Sequence, residues 1–167
     1  AVDGCPAPVI VAAHGHVFGG GVGLVAACDI AVLSDDAKMS FSECRLGIMP
    51  AVISCWVLPK IGARHARRYY LTGEVFGAGA AVKMGLAHEA VPVSGLAAKT
   101  ESLVADILKC GPQAVRAAKA LIPRLAGAPL SARIVLTMET LVKLRSSAEG
   151  REGLTAFLEK RAPEWAR

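Results

Sequence analysis

Apolar positions follow two different rhythms along the 167 residues. In the first part, short β-branched runs alternate with helices made of small residues. Pro8 to Ala13 is an apolar run that predicts a buried strand. Gly19 to Ala27 predicts a short helix with glycines at its start, and Asp29 to Ser34 a second buried strand ending in the turn Asp35-Asp36-Ala37. Lys38 to Phe41 predicts a third strand. Pro50 opens a helical stretch over Ala51 to Ile61, halted by Pro59 and Gly62. An amphipathic helix follows over Ala63 to Thr72, closed by Gly73. Gly77 to Met84 predicts a helix stopped at Gly85, and His88 to Val91 a last strand. From Leu96 onward the spacing is helical throughout: Leu96 to Lys109, Pro112 to Leu125 with proline at the first position, Leu130 to Leu144, and Gly150 to Lys160. The chain therefore divides into an α/β part, 1–95, and a helical part, 96–167. Strands alternating with helices predict parallel or stacked strands joined by helical crossovers.

Two segments carry candidate chemistry. Gly19-Gly20-Gly21 follows a strand and opens a helix, where bare backbone N–H groups can face a ligand oxygen. Twenty residues on, Glu43 stands among Phe41, Leu46 and Ile48. An N–H donor with one carboxylate nearby can hold a carbonyl oxygen and move a proton beside it, as enolate chemistry requires. The bland readings are a close helix–strand contact for the glycines and a surface position for Glu43. A third reading is dinucleotide binding, since Gly21 to Ala26 spells G-x-G-x-x-A. The helix is too short for it, and the next strand ends at Asp35, closer than the roughly 20 residues that fold requires. No Lys-Ser or Lys-Thr follows the glycines, so a Walker loop is excluded.

Composition narrows the classes. Hydrophobic content of 53% supports a sizeable core, and only 5% of residues are aromatic, too few for a stacking platform for single-stranded nucleic acid. The net charge of +5 could attract an anionic ligand, but reads first as a solvated surface. Cys5, Cys28, Cys44, Cys55 and Cys110 form no C-x-x-C pair and read as reduced, partly buried thiols of a cytoplasmic protein. His14, His16, His65 and His88 show no ligand spacing, so no metal is expected. No apolar run reaches membrane-spanning length. The expectation is a protein without nucleic-acid or membrane partners.

These segments resemble the crotonase (enoyl-CoA hydratase/isomerase) superfamily. The resemblance runs from the strand before the glycines, through Asp29-Ile30, Thr72-Gly73-Glu74 and Gly85-Leu86, to Glu149-Gly150-Arg151-Glu152-Gly153-Leu154 and Phe157 to Arg161. It implies a spiral of β-β-α units, incomplete at its N-terminus, with a helical C-terminal region used in assembly as a homotrimer or dimer of trimers. It implies an acyl-CoA thioester substrate, with coenzyme A as part of that substrate and no other cofactor. Gly20 matches an oxyanion-hole N–H and Glu43 the second of two catalytic glutamates. Phe18, Gly19, Gly23, Leu46, Pro50 and Ala51 fall on substrate-binding positions. Phe157 and Lys160, three apart on the last helix, are placed toward the coenzyme's nucleotide end.

Two departures stand out. The family's first glutamate falls on Gly23, and the chain matches only the C-terminal two-thirds of such an enzyme. Alone it is therefore expected to associate and to be inert. The stretches Gly20 to Asp29 and Arg45 to Ser54 look most like methylglutaconyl-CoA or isohexenylglutaconyl-CoA hydratases, whose substrates carry a distal carboxylate. Arg45 and Ser54 are candidates to meet it. The expected reaction is addition of water to a 2,3-unsaturated acyl-CoA. The rivals are double-bond isomerisation or decarboxylation on the same fold, and a non-catalytic assembly module.

Overall fold

The computed structural model describes residues 1–166. Its order is β1 (Ile10–Ala13), β2 (His16–Phe18), α1 (Gly20–Ala27), β3 (Ile30–Ser34), β4 (Lys38–Ser40), α2 (Ser54–Thr72), β5 (Phe76–Gly77), α3 (Ala78–Lys83) and β6 (Glu89–Val91). Four helices follow: α4 (Leu96–Leu108), α5 (Pro112–Leu125), α6 (Leu130–Arg145) and α7 (Ala148–Leu158). The chain packs as two units, one of residues 1–5 with 9–101, the other of residues 6–8 with 102–166.

In the first unit, two three-stranded sheets take alternate strands, in the orders β1-β3-β6 and β2-β4-β5. β1 pairs in parallel with β3, and β2 with β4. The first two β-β-α steps each lay one strand on each sheet before the chain crosses by a helix, and β5 and β6, parted by α3, add one strand to each, which is the spiral expected from the sequence. β2 and β5 were not anticipated. They hold three and two residues, too few to show a period, and His16–Phe18 is masked by the glycines after it.

The core is built from Val22, Val25 and Ala26 of α1, Leu33 of β3, Met39 of β4, Phe41, and Val57 and Ile61 of α2, all buried. α2 breaks where the sequence demands it. Gly62 has φ 69° and ψ 163°, three residues after Pro59, so two helical pieces meet at a kink. The Lys60 ammonium donates to the Cys28 carbonyl at 3.1 Å, serving the open C-terminal end of α1. The Val9 N–H donates to the Asp29 carboxylate at 2.7 Å, and the Ala31 N–H to His88 Nδ1 at 3.1 Å. Asp29 and His88 are thereby structural. Cys28 is buried and Cys5 partly so, as expected, whereas Cys44, Cys55 and Cys110 are exposed, which corrects the expectation for those three. Their apolar neighbours in sequence lie on surface turns and helix faces.

In the second unit, the segment Glu149 to Leu154 acts as a clasp. The Glu149 carboxylate accepts from the Gln113 and Ala114 N–H groups, both at 2.8 Å, and so caps α5. Ser147 caps α7 by accepting from the Gly150 N–H at 3.0 Å. A Cβ on Gly150 would run into the Leu144 carbonyl oxygen, so glycine allows α6 and α7 to turn this tightly. Glu152 takes Arg161 in a two-pronged ion pair at 2.6 and 2.9 Å. Gly153 lies under the Trp165 ring, where a Cβ would meet it at 3.0 Å. α7 ends at Leu158, so Lys160 does not share its face with Phe157 as expected. Lys160 turns off the helix with φ 55°. Along α6, Leu130, Ile134, Met138, Leu141 and Val142 form an exposed apolar stripe at helical spacing.

The capping role of Glu149 is testable. Glu149→Ala removes both acceptors and is expected to cost about 1 kcal/mol of unfolding free energy. Urea denaturation measures it, and an unchanged midpoint and slope would exclude the cap as a source of stability.

Candidate active site

The glycine run and Glu43 come together in space. The Gly19 N–H continues the β2–β4 ladder by donating to the Ser40 carbonyl at 3.0 Å. Gly19 itself adopts φ 51° and ψ −117°, which is open to glycine and strained for other residues. That turn swings the chain from β2 into α1. The Gly19 carbonyl then accepts from the Val22 and Gly23 N–H groups at 3.0 and 3.3 Å. The N–H groups of Gly20 and Gly21, at the first two helical positions, have no hydrogen-bond partner among the described residues. Gly20 is the donor expected from the sequence, and Gly21 is a second orphan beside it.

Glu43 is carried by a 3-10 turn over Ser42–Leu46 that begins directly after β4. The buried ring of Phe41 anchors one end. Gly47, with φ 74°, closes the other, its N–H donating to the Cys44 carbonyl at 3.2 Å. So held, the carboxylate reaches the first turn of α1: its Oε1 lies 3.4 Å from where a Cβ on Gly19 would stand. Oε2 is buried with no hydrogen-bond partner among the described residues. A buried carboxylate oxygen without a partner is costly and marks a place meant for another proton donor.

Gly23 is buried on α1. The space in front of it is occupied by Ile53, whose Cγ2 is in its path and whose Cβ would lie 2.8 Å from a Cβ on Gly23. The space at residue 23 is thus filled by hydrocarbon. A larger side chain at residue 23 requires Ile53 to move.

Beyond Ile53, the Ser54 hydroxyl lies against the Pro50 carbonyl and is hydrogen-bonded to the Tyr70 hydroxyl at 3.2 Å. The Tyr70 ring meets Phe41 edge-on, with centroids 4.8 Å apart. Burial pushes the Tyr70 phenol above its ordinary pKa, the Ser54 hydrogen bond pulls it back in part, and the Glu43 charge adds to the rise. Sequence reasoning missed Tyr70. Its signal was a polar tip on the apolar face of the 63–72 helix, which alone does not separate a packing ring from a site residue.

The remaining expected residues divide. Pro50 is buried beside Ser54, whereas Leu46 is 74% exposed and Ala51 is exposed with it. Phe18 ends β2, next to Gly19, and is 42% exposed. Leu46, Ile48, Met49 and Val52 form an apolar rim after Glu43, open to solvent in this chain. Arg45 lies across Gly73, its Nε 2.9 Å from where a Cβ would stand there. Phe157 and Lys160 belong to the second unit, where Phe157 is 80% exposed. Among the described residues, no group of three His, Cys, Asp or Glu side chains is placed to hold a metal ion. Among the described residues, no helix is long and apolar enough to cross a membrane.

The Ile53 plug makes a direct prediction. Gly23→Ala should lose about 1–3 kcal/mol of stability by overpacking. Adding Ile53→Ala should return most of that increment beyond what Ile53→Ala costs alone, giving a coupling energy in a denaturant double-mutant cycle. Additive effects would mean that Ile53 does not occupy the space at Gly23.

The family model described as enoyl-CoA hydratase/isomerase matches residues 1–167. The (E)-benzylidenesuccinyl-CoA hydratase of Thauera aromatica is 31% identical over 157 residues, covering 93% of this chain and 61% of that protein. The crystal structure of an enoyl-CoA hydratase from Shewanella pealeana superposes with a TM-score of 0.92 at 38% identity, covering 98% of this chain and 62% of that one. Pseudomonas aeruginosa AtuE superposes with a TM-score of 0.94 at 33% identity, covering 99% and 65%. The chain thus spans less than two thirds of the length of these relatives.

Proposed function

The chain belongs to the enoyl-CoA hydratase/isomerase family, and on that premise we propose that its protein adds water to a 2,3-unsaturated acyl-CoA. The observation that carries this reading is the buried, unpartnered Glu43 Oε2 beside the open N–H groups of Gly20 and Gly21. The thioester oxygen accepts from Gly20. Water attacks C3 and passes a proton to Glu43, while the C2–C3 π pair moves into the thioester as an enolate. Glu43 then returns a proton to C2, so that the net change is addition of H and OH. One N–H aimed at the enolate oxygen contributes about 3 kcal/mol to lowering the barrier. Coenzyme A enters as part of the substrate, and the chemistry calls for no separate cofactor.

A second reading is double-bond isomerisation or decarboxylation. It is favoured by one observation: with Ile53 where a second carboxylate would stand, Glu43 is the sole carboxylate at the glycine run among the described residues. Within the hydratase reading, the matching stretches around Gly20 and Arg45 support an acyl group of the methylglutaconyl or isohexenylglutaconyl type. Of the two candidates for its distal carboxylate, Ser54 pairs with Tyr70 and Arg45 lies over Gly73. The apolar stripe on α6 supports assembly with further copies of the same chain, as a homotrimer or a dimer of trimers.

The assignment of Glu43 is tested by Glu43→Gln in the protein at its natural length. Turnover should fall by about 100-fold or more with little change in substrate affinity. Near-normal turnover would remove Glu43 from the chemistry.

A further inference from the structure

Addition of water needs two groups on the water molecule: one to take a proton and one to orient it. Under the hydratase reading Glu43 takes the proton. The position beside Gly23 cannot orient the water, because Ile53 fills it with hydrocarbon. Ser54 follows the plug directly in sequence, and its hydroxyl pairs with that of Tyr70 at 3.2 Å.

The hydrogen-bond accounting at this pair leaves one site unused. Ser54 has a single hydroxyl proton and two acceptors within reach, the Pro50 carbonyl and the Tyr70 hydroxyl. If the proton turns to Pro50, Ser54 accepts from Tyr70; if it turns to Tyr70, the phenol accepts from Ser54. In both arrangements the Tyr70 oxygen keeps a lone pair that no described residue uses. The ring is fixed against Phe41, the residue that leads into the Glu43 turn. Tyr70 is half-buried and close enough to Glu43 to feel its charge, and both effects keep the phenol neutral.

We infer that the Tyr70 hydroxyl, anchored by Ser54, is the second group on the attacking water and stands in for a second carboxylate. It accepts one hydrogen bond from the water while the other water proton goes to Glu43. Tyr70 itself neither gains nor loses a proton. This inference rests on the hydratase reading. Ser54 is a positioning residue that acts through Tyr70.

Two reactions measured side by side separate the roles. Hydration of crotonyl-CoA needs the oriented water. Exchange of the C2 protons of butyryl-CoA in D2O needs Glu43 and the oxyanion donor but no attacking water. In the protein at its natural length, Tyr70→Phe should slow hydration by about tenfold or more, the worth of one hydrogen bond at the reacting atoms. Exchange should stay within about twofold, since the enolate machinery is untouched. Ser54→Ala should slow hydration less, again sparing exchange. Glu43→Gln should abolish both, and wild-type protein lacking both reactions would sink the hydratase reading itself. Hydration unchanged in Tyr70→Phe would overturn the inference. So would an equal loss of hydration and exchange, which is what a merely structural tyrosine would give. Wild-type exchange without hydration would overturn it as well, by leaving no water to orient.

Discussion

The site turns on the approach of the Glu43 carboxylate to the backbone of Gly19. A Cβ at residue 19 would sit 3.4 Å from Oε1, and the φ of 51° there strains any residue that has one. Because residue 19 is glycine, β2 can end, donate its last N–H to Ser40, and turn at once into α1. Because β4 pairs in register with β2, the 3-10 turn after Ser40 emerges at that same point. The parallel β2–β4 ladder therefore does more than hold two strands together. It sets the spacing between an open helix N-terminus and a carboxylate that lies far along the chain from it.

A second constraint shapes what the site can do. Gly23 and Ile53 occupy one volume between them, and the larger residue has taken it. A glutamate lost from α1 would leave a polar vacancy, whereas a glycine opposite an isoleucine leaves a packed wall. On the proposed reading, acid–base work falls on Glu43, and orientation of the water on the Tyr70 hydroxyl. The buried, unpartnered oxygen of Glu43 is consistent with a group that completes its hydrogen bonds only with substrate present.

Much of this was legible in the residues and some of it was not. The break in α2 could be read because Pro59 and Gly62 are local signals, and the helices after residue 96 because their apolar spacing runs for several turns. The pairing of the glycine run with Glu43 was legible through the family resemblance, since no local rule brings residues 19 and 43 together. Ile53 gave no sign, because its role depends on a neighbour thirty residues earlier that has no side chain. Tyr70 was hidden in an amphipathic pattern that explains it equally well as packing. Lys160 was misplaced on α7 because the helical period carries on past Leu158 while the backbone does not. Glu149 and Gly150 could be recognised as a motif, but their use as a cap for α5 and a close turn for α7 needed coordinates.

The account is tested most directly by a crystal structure of the protein at its natural length with a non-reactive enoyl-CoA analogue bound. It predicts the thioester oxygen within hydrogen-bonding distance of the Gly20 N–H. It also predicts the Glu43 carboxylate against C2 and C3, with Ile53 still in place beside Gly23. A thioester oxygen bound away from Gly20, or a Glu43 carboxylate turned from the acyl chain, would contradict it.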